Sequence, residues 1–166
     1  MTGPNEPNTG EAWFRGVVRE RLSYLVDAFG FREAPEEDVE VAGTWTVSYL
    51  GPVGVRATWE PPNDVVELAI YILSDGAFPT LAPIIGLHID WIVRVRSPGD
   101  EAKYRTLAKQ RPLPIEAYLD VAAADLKAYA SDLLTGRSFE LVGLVRAELQ
   151  RTLGGRGVRD VDWWVD

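Results

Sequence analysis

Across residues 39–73, apolar and polar side chains alternate in three successive runs, and the breaks between the runs suit only tight connections. In an extended chain each parity is a face, so this pattern commits the segment to strands that fold back on one another as an antiparallel meander. In the first run Trp45, Val47 and Tyr49 share one parity with Val39 and Val41 upstream, while Thr44, Thr46 and Ser48 take the other. Leu50-Gly51-Pro52 then turns the chain, since Gly admits φ > 0 and Pro pre-sets a turn. The second run sets Val53, Val55, Ala57 and Trp59 inward against Arg56, Thr58 and Glu60, and stops at Pro61-Pro62-Asn63-Asp64. The third places Val66, Leu68, Ile70 and Ile72 on one face, with Val65, Glu67, Ala69, Tyr71 and Leu73 opposite. So apolar an outer face implies a central strand, or one partly covered on both sides. Arg56 and Glu67 fit a cross-strand pair that marks register.

Helical periods flank the meander. From Glu11 to Phe29 the residues Phe14, Val17, Val18, Leu22, Leu25, Val26 and Phe29 make one stripe, and Gly30 stands where a terminating residue belongs, with Phe31 after it. Glu33-Ala34-Pro35-Glu36-Glu37-Asp38 is an acidic connection into the sheet. Pro114 opens a second helix with Ile115, Leu119, Ala122, Leu126, Tyr129, Ala130 and Leu133 on one face, closed by Thr135-Gly136. Ser138 suits the cap of a third, striped by Leu141, Val142, Val145, Leu149 and Leu153. Between Ser74 and Arg111 two templates compete. Leu87, Ile89, Trp91, Val93 and Val95 alternate as a strand does; alternatively Leu81, Ile84 and Ile85 form a short strand and Asp90 caps a brief helix through Trp91, Ile92, Val93 and Val95. The second is the better fit. The fold class expected is α+β: an N-terminal helix, an antiparallel meander of three to four strands, and two C-terminal helices packed on one sheet face. Residues 1–10 read as a polar disordered tail, 11–155 as a single domain, and 156–166 as an acidic, tryptophan-containing tail.

At 166 residues the chain is long enough for a core without staples, and it has no cysteine, which removes disulfides and thiolate chemistry. The first residues carry neither a basic region nor an apolar stretch, so a cytoplasmic location is expected. Net charge is −8, and all of the excess falls in the first half: up to Pro83 there are five Arg or Lys against thirteen Asp or Glu, and twelve of each follow. An acidic surface repels phosphate backbones, so neither nucleic acid nor an anionic membrane is an expected partner, whereas a basic protein is.

The segments 24–33, 47–73, 90–104 and 123–136, which include YLV, FGFRE, VSYLGPVGVRATWE and AADLKAYASDLLTG, resemble a group of uncharacterised actinobacterial-type α+β proteins. In size, charge and element order the chain is also loosely similar to bacterial toxin-immunity proteins. Neither resemblance implies an activity or carries over a functional residue.

His88 is the sole histidine and sits between Leu87 and Ile89, so it reads as a structural residue, with a base oriented by Asp90 in a hydrolase as the competing reading. Asp125 and Asp132 nearly share a helix face, Asp120 and Asp125 do not, and Asp125, Lys127 and Asp132 read as a solvated face. Gly51, Gly54, Gly154, Gly155 and Gly157 follow strands or helices and open none, so no phosphate loop is expected. No cofactor or metal site is expected either. Trp45 and Trp59 fall on the core parity. Trp163 and Trp164 stand among acidic residues; they either fold back onto the domain or offer two indoles to a partner. The leading expectation is a non-catalytic acidic protein-binding domain of immunity or antitoxin type, with Glu33, Glu36, Glu37, Asp38 and Glu40 supplying charge and Trp163 and Trp164 anchoring. The alternatives are an assembly component acting as a homodimer or in a larger complex, and the hydrolase built on His88 and Asp90.

Overall fold

The computed structural model describes residues 9–35, 43–79 and 86–153. Its elements run α1 (Thr9–Arg21), α2 (Ser23–Asp27), β1 (Arg32–Glu33), β2 (Trp45–Leu50), β3 (Gly54–Glu60), β4 (Val65–Tyr71), β5 (Leu87–His88), α3 (Ile89–Arg96), α4 (Ala102–Ala108), α5 (Ile115–Tyr129), α6 (Ser131–Leu134) and α7 (Glu140–Leu153). The fold is α+β, and the sheet is antiparallel throughout with the strands in sequence order.

The meander has the register that its alternation demands. Val47 faces Ala57 and Ala57 faces Leu68; Tyr49 faces Val55 and Val55 faces Ile70, which meets Leu87. Those seven side chains therefore share a face, and all are buried. The sheet has five strands rather than three or four. Arg32 and Glu33, the latter expected to begin the acidic connection, pair with Leu50 and Tyr49, and Leu87 and His88 close the opposite edge. Edge strands of two residues carry no period, and such short edges leave little backbone open to pairing with another chain. Val39 and Val41, expected to extend β2 upstream, and Leu81, Ile84 and Ile85, expected as a strand, lie outside the described residues.

The outer face is covered at one end, while Val65 and Glu67 on it are exposed. Beyond β4 the chain turns back so that Phe78 lies against Gly54, where an added Cβ would meet the ring at 2.5 Å, and Gly86 lies against Ala69. Arg56 points here: its Nε donates to Ser48 Oγ at 3.1 Å and its guanidinium stacks 4.1 Å from the Phe78 ring and 4.9 Å from Tyr71. Glu67 faces Thr58 in the register and approaches His88, so Arg56 and Glu67 serve different neighbours.

On the inner face, α1 packs on β2 and α5 on β4, while α7 finds its main neighbour in α3. The first helix breaks at Leu22, whose φ of −104° and ψ of 12° leave the helical region, and α2 ends at Gly30 with φ 72°, where the Phe31 N–H bonds the Leu25 carbonyl at 2.9 Å. Arg21 pairs with Asp120, and the Tyr24 hydroxyl donates to the Ala123 carbonyl at 2.9 Å, which ties α1 and α2 to α5. The helix of the middle segment is present as α3, but its cap is His88; Asp90 lies in the first turn, where its charge suits the helix dipole. The first of the two expected C-terminal helices, opened by Pro114, also breaks, at Ala130, into α5 and α6. Ser138 Oγ accepts from the Glu140 N–H at 3.2 Å, the capping bond expected of it.

Candidate functional site

Four places in the fold gather polar or aromatic side chains, and their geometry separates tethers from surfaces.

The first joins α4 to α5. Asp125, expected on a solvated face, is only 8% exposed. Tyr104 donates its hydroxyl hydrogen to Asp125 Oδ2 at 2.7 Å and Lys103 Nζ lies 2.7 Å from the same oxygen. Helical spacing from Asp132 misjudged this aspartate because its partners arrive from a segment some twenty residues away. Burial first, then the bond to Asp125, drives the Tyr104 phenol far above its usual range. Asp90 faces this group, and its charge raises both Tyr104 and Tyr118. Each polar group has a partner, so the cluster is a buried tether.

The second is the outer sheet face. His88 Nδ1 lies 3.8 Å from Glu67 Oε1, so the carboxylate beside the histidine is Glu67, while Asp90 is turned toward the tyrosines. Burial lowers the Arg56 guanidinium and raises the Tyr71 phenol, and the two bond each other. The rings over Arg56 hold it within the protein.

The third is an open groove of about 510 Å³ between α3 and α7, lined by Arg94, Val95, Leu144, Glu148 and Arg151 among others. Glu148 is gripped from two sides, by Arg151 at 2.5 Å and by Arg94 at 2.9 Å, with Arg94 also stacked 5.1 Å from Trp91. The Arg151 bond, reinforced by the Arg94 bond and the charge of both arginines, pulls the Glu148 carboxyl down to about 2 against the opposing effect of burial.

The fourth lies where α1 begins and β2 and β3 meet. Trp45 opens β2 opposite Trp59, and the two rings meet edge to face at 4.8 Å. Trp13, on α1, stands edge-on to Trp59 at 5.9 Å, and Phe14 fills the space behind at 5.8 Å. Phe14 is fully buried, yet Trp13 is 42% exposed. Among the described residues the buried Trp59 Nε1 has no hydrogen-bond acceptor. Trp45 and Trp59, expected in the core, are half-buried and packed against it. The sequence reading passed over Trp13; its signal was a tryptophan next to the apolar stripe of α1 but outside it.

Of the residues expected to bind a partner, Glu33 lies in β1 and is held by Arg19 through contacts of 2.8–3.2 Å. Glu36, Glu37, Asp38, Glu40, Trp163 and Trp164 lie outside the described residues. Among the described residues no cluster of three or more His, Asp or Glu is placed to hold a metal ion, and no helix is long and apolar enough to cross a membrane. No family model, curated protein or solved structure matches the chain.

Proposed function

We propose that this chain is a non-catalytic, acidic protein-binding domain whose contact surface centres on Trp13, backed by Trp59 and Trp45. The observation that carries the reading is the half-exposed Trp13 indole, packed edge-on to a second tryptophan that is itself packed on a third. A rigid aromatic cluster loses little conformational freedom on association and offers a large amphipathic area, which is why tryptophan dominates binding hot spots. Along the chain, Glu36, Glu37, Asp38 and Glu40 lead into Trp45, so acidic charge is covalently close to the aromatic surface. With a net charge of −8, the partner that fits is basic. The mode of action is occlusion, of the kind an immunity or antitoxin protein exerts on a cognate basic site.

The test offers one cell extract to the immobilised full-length chain and to its Trp13→Glu variant. A partner retained by the first, released by added salt and lost from the second is the expected result. Equal retention by both overturns the Trp13 surface, and retention indifferent to ionic strength overturns the electrostatic part.

A further inference from the structure

The outward side of α7 mixes exposed apolar and charged side chains, although the core stripe of the helix, Leu141, Val145 and Leu149, is buried. Phe139, just ahead of α7, is 49% exposed and Leu144 is 38% exposed. Between them the surface is low: Gly143 and Ala147 are both exposed, and an added Cβ at Gly143 would meet nothing within 4 Å. At 100° per residue, Gly143 and Ala147 mark the centre of this face, Phe139, Arg146 and Gln150 form one flank, and Glu140, Leu144 and Arg151 form the other.

We infer that this face binds a second copy of itself, with the two α7 helices antiparallel about a two-fold axis beside Gly143 and Ala147. The occupant follows from the charge order. The acidic residue of the face, Glu140, is in the first turn of α7, and the basic residue Arg151 is in the last. A two-fold relates equivalent flanks, so an antiparallel pair sets Glu140 of each copy beside Arg151 of the other, twice over. On the opposite flank Phe139 of each copy reaches the far end of the other helix, beside Gln150. Gly143 meets Ala147 of the second copy, and the absence of bulk at both lets the backbones approach. A parallel two-fold pair would bring opposite flanks together, setting Glu140 against Phe139 and Arg151 against Gln150, so that neither charge meets its complement. Arg151 already bonds Glu148 within its own chain at 2.5 Å, so it brings a fixed guanidinium edge to the contact. One helix pair lies at the small end of specific interfaces, so the dimer should dissociate at concentrations on the order of 10 μM.

Sedimentation equilibrium of the full chain tests this. A reversible monomer–dimer equilibrium is expected, weakened at least tenfold by Gly143→Gln, a change that has room in the monomer and favours helix. Glu140→Arg and Arg151→Glu should each weaken it, and mixing the two variants should restore a heterodimer. A monomer up to about 500 μM, a dimer untouched by Gly143→Gln, or failure of the mixed variants to pair would each overturn the inference. The face belongs to α7 and the Trp13 surface to α1, so either proposal can fail alone.

Discussion

Tyr104 and Lys103, neighbours in sequence, both reach the same carboxylate oxygen of Asp125, each at 2.7 Å. The residue is on α5 and its partners are on α4, a helix of only seven residues. So short a helix has little stability of its own, and this shared acceptor fixes its position.

Removing the acceptor should therefore cost more than removing either donor. Asp125→Ala leaves a buried phenol unpaired, although Lys103 keeps access to water, and should lower stability by about 2–3 kcal/mol. Tyr104→Phe should cost about 1–2 kcal/mol. Chemical denaturation of the two single variants and the double variant checks this: strictly additive losses would show that the bond contributes nothing.

Alkaline pH should unfold the protein. Burial raises the phenols of Tyr24, Tyr104 and Tyr118 well above the usual value, and that of Tyr49 to about 12. The native state then holds these protons more tightly than the unfolded chain, whose tyrosines titrate near 10. The stability they contribute is complete below pH 10 and is lost as pH rises above it. Tyrosinate absorbance and loss of the near-ultraviolet dichroism should rise together; tyrosines that ionise freely near pH 10 in the folded protein would contradict the burial.

Acid should act at the other end of the molecule. Because Arg151 and Arg94 hold Glu148 at about 2, its contribution is present above the ordinary value of 4.5 and fades as pH falls from there toward 2. Glu148→Gln should therefore abolish part of the acid sensitivity in that window and loosen α7 from α3 at neutral pH. Hydrogen exchange along α7 measures it, and protection equal to that of the unaltered protein would refute it.

Gly54→Ala should destabilise without touching the inner core. The new methyl would meet Phe78 at 2.5 Å and Leu73 at 2.9 Å, so the ring must leave its stack on Arg56. Overpacking of this kind costs about 1–3 kcal/mol. In a Phe78→Ala background, where only the end of the Leu73 side chain must give way, the added methyl should cost less, and thermal unfolding of the three variants decides the point.

Much of the architecture was legible because periodicity is local. The alternation over residues 45–71 specified the inner face, since a slip by one residue would have turned every apolar side chain outward, but not the register, where Arg56 meets Ala69 and Glu67 meets Thr58. The apolar outer parity of β4 likewise announced a strand that is central or partly covered on both sides, and Gly86 and Phe78 supply that cover at the Ala69 and Tyr71 end. Gly30 and Ser138 were readable as helix ends because a left-handed glycine and a serine oxygen satisfy groups within a few residues.

What the sequence determined by itself was thus the parity of each strand, the stripe of each helix and most of their ends, all of which depend on neighbours along the chain. The tertiary structure decided the rest: two-residue edges too short to show a period, breaks at Leu22 and Ala130 inside continuous stripes, the burial of Asp125, the outward indole of Trp13 and the exposure of Phe139 and Leu144 at α7. Each of these depends on which distant segment arrives opposite a residue. Whether a polar or aromatic side chain is paired, buried or left to solvent is settled by that arrival, and no local pattern encodes it.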